Sequence, residues 1–582
     1  MPSVPQLSRR FGVRSRRWLR TSEAAFIVLA ATVGVLAGIG MMVQQALAHG
    51  LQRLLYGVTI NRLSALGSIH HPWRLVALPL GGLALIAFNQ LIARRTRAPI
   101  DVVEANALHG GRIPASDNLI IAAQTILSNG CGASVGLEAT YAQLGGGAAS
   151  LLGQWFQLRR GDLRTLVGAG AGAAVGAAFG APLTGAFYAF EIVIGAYNTT
   201  SVAPVIVATL AATLVIRAVG VAPYLIATTV VRQLTILDYG IYSLLGLLCA
   251  GLGIVVMRLV TTTDRLLHNL TGGSRWRPLI GGLLLVPLAW LSPQTLSAGH
   301  GALNLDLTLQ PAVSFLLIVL ALKIAASVLS LASGFRGGLF FASLFLGALL
   351  GEAFAAAINL NPWGIALEPT DAALVGMAAF SACIVGGPMT LALLMLETTH
   401  DFALMGVVLT ASLLAGATTR EVFGYSFSTW RLHVRGSNVR SPRDIGWMHD
   451  LTAGRIMRHD WKSVPESTTV AVFRTLVPLG SASKAIVVAA DGTYQGIVPT
   501  AAAYSPDIDP QAPVKSLAVL PNTWLRSSTD IKSVLTTFDA EAADELAVVE
   551  HGEVVGVLSE AYARRRYLEE VEIAQRQLFG EA

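Results

Sequence analysis

A single carboxylate, Glu138, lies in the segment GASVGLEATYAQLGGG (residues 132–147), and its surroundings point to anion chemistry. No other charged residue occurs within eleven positions on either side. Gly136 precedes the acid and a run of three glycines follows it, so backbone N–H groups are accessible. A helix that starts near Glu138 would offer these groups and its positive dipole end to an anion. The carboxylate could occupy such a site as a tethered anion and leave it when protonated or displaced. It would then act as a gate that blocks or frees the anion site.

A second segment, SGFRGGLFFASLFLGALLG (residues 333–351), has the same character. Gly337 and Gly338 lie at a predicted helix start, so the amides of Leu339 and Phe340 could face the same point as the helix at Glu138. Two glycine-led helix starts directed inward would bind a small anion with little need for fixed cations. The alternatives are a structural glutamate, protonated or salt-bridged, and glycines that only permit close helix packing.

The composition indicates that these segments lie in a membrane. Hydrophobic residues make up 53% of the 582 positions and charged residues 13%, against roughly 25% charged in a soluble domain. The mean hydropathy is +0.59. We therefore predict a polytopic α-helical membrane protein with close-packed and broken helices. Its apolar blocks of helical length are 24–46, 74–93, 165–194, 202–218, 239–260, 278–291, 312–332, 338–358, 372–396 and 403–418.

The charge distribution predicts the orientation. Six arginines precede the first acid, Glu23, and five more follow the last apolar block, which gives most of the net charge of +6. Because basic residues favour the cytoplasmic side, both termini are expected there, in the plasma (inner) membrane. A nucleic-acid-binding arm is the other interpretation, but an apolar helix begins directly after the arginines. The three cysteines lie in apolar segments and indicate neither a disulfide framework nor a metal site.

The last 146 residues contain an internal repeat. The segments AIVVAADGTYQGIV (485–498) and LAVVEHGEVVGVL (546–558) each have two apolar runs around a glycine turn, 60 residues apart, and each follows a helix-like segment. The pattern predicts two small α/β modules. It resembles tandem cystathionine-β-synthase (CBS) domains, some of which bind adenine nucleotides. The family's ribose-binding aspartate is missing at 499–502 and at 559–562, so no cofactor is expected and a structural or dimerising tail is favoured.

The apolar region repeats as well. APLTGAFYAFE (181–191) and GPMTLALLMLE (387–397) share a proline, a threonine two residues later and a glutamate nine residues after the proline. The two glutamates, Glu191 and Glu397, are 206 residues apart. Matching interrupted helices in two halves are typical of transporters that bind substrate near the bilayer midplane.

These motifs together resemble the CLC chloride channels and chloride/proton antiporters. GLEATYAQLGGG is similar to that family's Gly-x-Glu-Gly-Pro segment and GGLFFASLFLGALLG to its Gly-x-Phe-x-Pro segment. The resemblance implies an inverted-repeat helical fold, a homodimer, a gating role for Glu138 and transport of chloride or a similar small anion. It also implies that the anion is coordinated by the backbone amides of Gly136, Leu137, Leu339 and Phe340. The domains implied are a cytoplasmic arm (1–22), a membrane domain (23–436, with halves 23–220 and 235–436) and a CBS-like tail (437–582, with modules 450–505 and 512–566).

The chain departs from the family pattern at two parts of the site. The family's first motif, Gly-Ser-Gly-Ile-Pro, should lie where this chain has Arg97, Ala98, Pro99 and Ile100, so the inner half of the anion site differs. An arginine there would either attract anions or lie at the cytoplasmic interface. The hydroxyl of the inner gate is expected from Ser428 on spacing or from Tyr425 on chemistry, and both remain candidates.

The choice between channel and antiporter depends on one position. Antiporters of the family typically have a proton-transferring glutamate directly after the residue that corresponds to Glu191, and this chain has Ile192 there. An isoleucine cannot carry a proton, so a passive, Glu138-gated chloride channel is the leading hypothesis. Proton-coupled exchange remains the alternative, since Glu191 is adjacent.

Other classes lack the residues that they need. A CBS-regulated transporter of a divalent cation would require clustered carboxylates at membrane depth, whereas the acids here are isolated. An intramembrane hydrolase would require a nucleophile with its base or a motif such as His-Glu-x-x-His, and the sequence has neither. We therefore expect a transport protein of the lipid bilayer rather than an enzyme, with no nucleic-acid partner.

Overall fold

The computed structural model describes residues 22–58, 63–66, 71–92, 97–220, 226, 234–309, 311–360, 366–434 and 451–579. The chain divides into a helical unit and a C-terminal unit, with the division at Asp444 and Ile445. This division and the sequence-based boundary at 436/437 both lie outside the described residues, as does the arginine-rich arm up to residue 21.

The first half of the helical unit contains eight α-helices and a short π-helix among the described residues. The α-helices are α1 (Glu23–Tyr56), α2 (Ala77–Leu91), α3 (Val102–Leu108), α4 (Ala115–Gly130), α5 (Glu138–Trp155), α6 (Arg160–Phe179), α7 (Pro182–Tyr188) and α8 (Thr199–Ala218). The π-helix, Ala189–Ile194, continues directly from α7.

The second half has a corresponding series of helices. Within the described residues these are α9 (Ile236–Thr271), α10 (Arg277–Leu291), α11 (His300–Leu309), α12 (Val313–Ala332), α13 (Phe340–Asn359), α14 (Pro369–Val385), α15 (Pro388–Thr399), α16 (Phe402–Val422) and α17 (Phe427–Val434). Across the described parts of both halves, seven helical segments are long and apolar enough to cross a membrane. The prediction of a multi-pass helical membrane protein is therefore confirmed.

Two of the predicted apolar blocks, 165–194 and 372–396, are each broken into two helices. The first breaks between α6 and α7, where Gly180 has φ 67° and Pro182 starts the next helix. The second breaks between α14 and α15, where Gly386 has φ 90° and Pro388 starts the next helix. Glycine tolerates the left-handed conformation that ends a helix, and proline fits the first turn of the next. The same local sequence therefore produces the same break in each half.

Small residues bring the helices of each half into close contact. A Cβ atom at Gly145 of α5 would lie 2.1 Å from the carbonyl oxygen of Gly170 of α6. A Cβ atom at Gly347 of α13 would lie 2.3 Å from the carbonyl oxygen of Gly376 of α14. These backbones touch only because both partners lack side chains, which is the packing expected inside a membrane. The two equivalent pairs show that the halves repeat in their packing as well as in their helix breaks.

The C-terminal unit consists of two α/β modules, as the repeat predicted. The short helix α18 (Ala453–Ile456) precedes both modules in the chain. In the first module, the elements in chain order are β1 (Ser463–Pro465), α19 (Val470–Leu476), β2 (Lys484–Val488), β3 (Tyr494–Pro499) and α20 (Thr500–Ala503). The sheet order is β1-β2-β3, with β1 parallel and β3 antiparallel to β2. In the second module, α21 (Ile531–Glu541) precedes the antiparallel pair of β4 (Glu545–Glu550) and β5 (Glu553–Ser559), and α22 (Glu560–Phe579) follows.

Candidate anion pathway

The loops before α5 and α13 are joined by a reciprocal backbone pair. The Gly136 N–H donates to the Gly338 carbonyl at 2.8 Å, and the Gly338 N–H donates to the Gly136 carbonyl at 3.1 Å. The glycine segments of the two halves therefore meet, as the sequence predicted. However, the Gly136 amide is occupied by this bond, so its predicted coordination of an anion does not hold in this conformation.

The Glu138 carboxylate lies folded back over these helix starts. The side chain is 2% exposed, and the backbone N–H groups of Glu138 and Phe341 hydrogen-bond its carboxylate. A Cβ atom at Gly136 would lie 2.1 Å from its Oε2 atom, which has no hydrogen-bond partner among the residues that the structure describes. The carboxylate thus occupies one amide donor at the start of α13, that of Phe341, where a free anion could otherwise bind. The donor here is the Phe341 amide, one residue beyond the predicted pair.

A cavity of about 120 Å³, here called the Arg431 cavity, lies on one side of the paired loops. Leu339, Phe340 and Ser428, which the sequence singled out, line it together, and so does Ile192. The other polar and charged residues of its lining are Asp101, Thr125, Thr140, Gln143, Tyr188, Arg336 and Arg431. Two arginines and several hydroxyl and amide groups make this cavity suitable for an anion.

A second cavity of about 120 Å³, the His300 cavity, lies on the other side. Leu137 and Glu138 line it, whereas the next residue of α5, Ala139, lines the Arg431 cavity. The polar and charged residues in its lining are Gln45, His49, Asn129, Glu138, Tyr141, Thr213, Arg217, Ser297 and His300. Because adjacent residues face different cavities, the start of α5 separates two spaces, and Glu138 lies at the division.

The two candidates for the inner gate lie in different surroundings. Ser428 is in the first turn of α17 and lines the Arg431 cavity with Phe340. The Tyr425 hydroxyl lies 3.2 Å from Nδ1 of His433, and its ring packs against Trp430. Tyr425 lines a different cavity of about 510 Å³, which Ser428 also borders. The structure therefore brings Ser428, and not Tyr425, together with Phe340.

Tyr188 supplies a further hydroxyl that the sequence analysis did not identify. It is the last residue of α7, its ring centroid lies 6.2 Å from that of Phe340, and it lines the Arg431 cavity. Its position depends on the break at Pro182, because a continuous helix would carry this residue elsewhere. A tyrosine six residues after the repeated proline was the only signal in the sequence.

The first-motif region lies beside the Arg431 cavity rather than in its lining. Arg97 Nη1 lies 2.9 Å from Oδ2 of Asp117, whose side chain is fully buried, and the Ile100 N–H donates to the same oxygen at 3.1 Å. Ala98 is exposed and Pro99 half-buried, and the cavity lining begins at Asp101. The sequence left two interpretations of Arg97, a charge in the vestibule and a residue at the interface. The structure favours neither, because the guanidinium pairs with the buried Asp117 carboxylate.

Glu191 and Ile192 lie in the π-helix and have separate surroundings. Ile192 is 6% exposed and lines the Arg431 cavity. The Glu191 carboxylate accepts hydrogen bonds from the N–H groups of Met389 and Thr390 and from the Thr390 hydroxyl, at 3.2, 2.9 and 2.7 Å. Glu191 therefore caps the start of α15, in the other half of the unit.

Two basic side chains, one beside Glu138 and one that supports the segment before α11, were not identified from the sequence. Nε2 of His300 lies 3.6 Å from Oε1 of Glu138. Nζ of the fully buried Lys323 donates to the carbonyls of Thr295 and Ser297, at 3.2 and 2.7 Å. Both residues are far from Glu138 in the sequence, so no local motif could connect them with it.

Broken helices that meet at a buried carboxylate between two cavities are typical of a membrane transport protein. Comparison with known proteins identifies the family. A family described as "Voltage gated chloride channel" matches residues 80–420, which is more than half of the chain. The chain therefore belongs to this family, and the CLC resemblance is confirmed.

Among its relatives is the voltage-gated ClC-type chloride channel ClcB of Escherichia coli. It is 27% identical over 374 residues, which span 62% of this chain and 87% of that protein. Two solved structures share the fold. A slow cyanobacterial Cl⁻/H⁺ antiporter has a TM-score of 0.61 at 21% identity and covers 70% of this chain and 97% of its own. A eukaryotic CLC transporter has a TM-score of 0.59 at 18% identity and covers 92% of this chain and 97% of its own.

Proposed function

We propose that the chain is a passive chloride channel in which Glu138 is the gate. The observation that carries this proposal is the position of its carboxylate, which binds the Phe341 amide between two cavities. A carboxylate in that place competes with a permeating anion for the same donors. Displacement of the carboxylate by chloride, or its protonation, then joins the His300 cavity to the Arg431 cavity.

The surroundings of Ile192 support a channel over an antiporter. At the point where a proton-transferring acid would face the Arg431 cavity, the side chain is apolar. The adjacent Glu191 accepts three hydrogen bonds at the start of α15, so its carboxylate is engaged in capping that helix. A proton that enters from the Arg431 cavity therefore meets no carboxylate at position 192.

Proton-coupled exchange is the second candidate, and Asp101 is the observation that favours it. Asp101 lines the Arg431 cavity, although its carboxylate also accepts from the Glu104 N–H at 2.8 Å as the cap of α3. An acid there could receive a proton in place of the missing glutamate. The fold is also shared with a Cl⁻/H⁺ antiporter and, at a TM-score of 0.59 and 22% identity, with a CLC-type fluoride/proton antiporter that covers 70% of this chain and 97% of its own.

The proposed orientation follows from α1. Its N-terminal end adjoins the arginine-rich arm, which favours the cytoplasm. His49 lies 26 residues beyond Glu23 on this continuous helix, so about 40 Å separates them at 1.5 Å per residue. This distance exceeds the hydrocarbon thickness of about 30 Å. The His300 cavity, which His49 lines, is thus assigned to the outside of the plasma (inner) membrane, and both termini to the cytoplasm.

The proposed assembly is a homodimer with one pathway in each subunit and a C-terminal unit that acts without a nucleotide. The positions after β3 and β5 where a ribose-binding aspartate would stand, 499–502 and 559–562, contain none. Cross-linking in membranes should trap a dimer, and the C-terminal unit should not bind ATP in calorimetry. A purely monomeric cross-linking pattern would contradict the assembly.

The test of the channel proposal is the reversal potential of reconstituted protein under crossed chloride and proton gradients. A channel follows the chloride gradient alone, because no proton accompanies the anion. A proton gradient should accordingly fail to drive chloride uphill. Uphill chloride accumulation at a fixed stoichiometry would instead establish the antiporter, and Asp101→Asn should then abolish it while preserving folding.

A further inference from the structure

His300 lies beside Glu138 and lines the His300 cavity. It is the first residue of α11, and its ring stacks on that of Phe341 with centroids 3.5 Å apart and planes 20° apart. A third of its side chain remains exposed to the cavity. The stack joins the imidazole to the residue whose amide binds the Glu138 carboxylate. His300 therefore has a fixed position relative to the anion site.

His300 and Glu138 lie slightly too far apart for a hydrogen bond in this conformation. Nε2 and Oε1 lie 3.6 Å apart, which is beyond a hydrogen bond. The other carboxylate oxygen, Oε2, is buried and has no hydrogen-bond partner within the described part of the chain. Glu138 and His300 line the same cavity, and a shift of about 0.5 Å would bring the two groups to an ordinary hydrogen-bond distance.

We propose that His300 is a positioning residue that receives the displaced Glu138 carboxylate and so stabilises the open gate. Its Nε2–H replaces the donor that the carboxylate loses at the Phe341 amide. This proposal rests on the gating role of Glu138 in the proposed function. It assigns to His300 a part in opening that is needed only while Glu138 carries a charge.

Other ionisable groups near His300 define the controls. Each lies on a different element packed around the His300 cavity or behind it: His49 on α1, Tyr141 on α5, Arg217 on α8 and Lys323 on α12. Lys323 is directed at the carbonyls of Thr295 and Ser297, so it supports the segment that leads into α11 rather than the gate itself. His49 is the matched control, because it is the other histidine in the same cavity.

The experiment measures chloride flux in liposomes across external pH for His300→Phe, which keeps the ring stack and removes the donor. At neutral pH the flux should fall about tenfold, the usual effect of one lost hydrogen bond to a charged group. At low external pH, where a protonated Glu138 needs no partner, the flux should match that of the wild type. His300→Gln restores an N–H donor and should recover most of the neutral-pH flux, and His49→Gln should behave as the wild type.

The Glu138→Gln background distinguishes a failure of the proposal for His300 from a failure of the gating role of Glu138. If His300 acts through the Glu138 charge, His300→Phe should have no further effect there. An equal loss of flux at every pH, or an equal loss in the Glu138→Gln background, would overturn the proposal, as would an unchanged His300→Phe. A Glu138→Gln variant that keeps the wild-type pH response would overturn the gate itself. Should His300→Phe not fold, His300→Met is the second donor-free variant.

Discussion

The Glu191 carboxylate accepts hydrogen bonds from both the backbone N–H and the hydroxyl of Thr390, although the residues are 199 positions apart. The relationship is reciprocal between the halves: Glu397 accepts from the N–H and the hydroxyl of Thr184, both at 2.7 Å. Each glutamate thus caps the proline-led helix of the other half and places a negative charge at its positive end. The repeated spacing of proline, threonine and glutamate is explained by this exchange of caps.

The exchanged caps predict a large and symmetric effect on stability. Glu191→Gln removes the charge and points an N–H donor at N–H groups of α15, so unfolding should become easier by about 2 kcal/mol. Glu397→Gln should cost a similar amount at α7. The measurement is thermal unfolding in detergent, with Glu421→Gln, an exposed acid, as the control. A loss confined to one of the two variants would contradict the reciprocal arrangement.

Glu138→Gln should abolish the dependence of anion flux on external pH. In the wild type, protonation removes the charge that binds the Phe341 amide, so flux should rise as external pH falls. The glutamine is nearly isosteric and cannot change charge, so flux should stay at the low-pH level. Flux into liposomes at several external pH values is the measurement.

The control for this variant is Glu352→Gln, which neutralises another buried glutamate of the same unit. It should leave the pH response unchanged. A correctly folded Glu138→Gln protein with the wild-type pH response would show that Glu138 is structural only.

Gly136→Ala should hold the gate partly open. The new Cβ atom would lie 2.1 Å from Oε2 of Glu138, and the carboxylate is the group that can move. Overpacking of roughly 1–3 kcal/mol corresponds to about a fivefold or larger shift towards the displaced carboxylate at neutral pH. The measurement is chloride flux, with Gly240→Ala as the control, because a Cβ atom there would meet no other described residue within 4 Å. In a Glu138→Ala background the Gly136→Ala substitution should have no effect. An undiminished effect there would show that the clash with the Glu138 carboxylate is not the cause.

Arg97→Ser should affect stability more than anion selectivity. The guanidinium compensates the buried Asp117 carboxylate but is itself about half exposed, so its loss should cost about 2 kcal/mol, less than a fully buried pair. Thermal unfolding of Arg97→Ser and of the Arg97→Ser, Asp117→Asn double variant is the measurement, and the double variant should recover most of the loss. A shift in chloride/nitrate preference at unchanged stability would return Arg97 to the anion pathway.

Local sequence was sufficient for features that neighbouring residues decide. The helix starts at Glu138 and Phe340 follow from the glycines before them, and the breaks at Gly180 and Gly386 follow from a glycine and a proline two residues later. The α/β repeat of the C-terminal unit was likewise readable from alternating apolar runs and glycine turns. In each case the conformation depends on a few consecutive residues, through backbone freedom and hydrophobic periodicity.

Contacts between distant residues were decided only by the tertiary structure. The sequence placed Gly136 and Gly338 near one point, but only their pairing occupies the Gly136 amide and leaves the Phe341 amide to Glu138. It likewise offered Ser428 and Tyr425 equally, until packing turned Tyr425 towards His433. His300 reaches Glu138 across 162 positions. Spacing along a chain specifies which groups exist and which helix face they share, whereas their partners depend on how separate helices pack, and no local pattern contains that information.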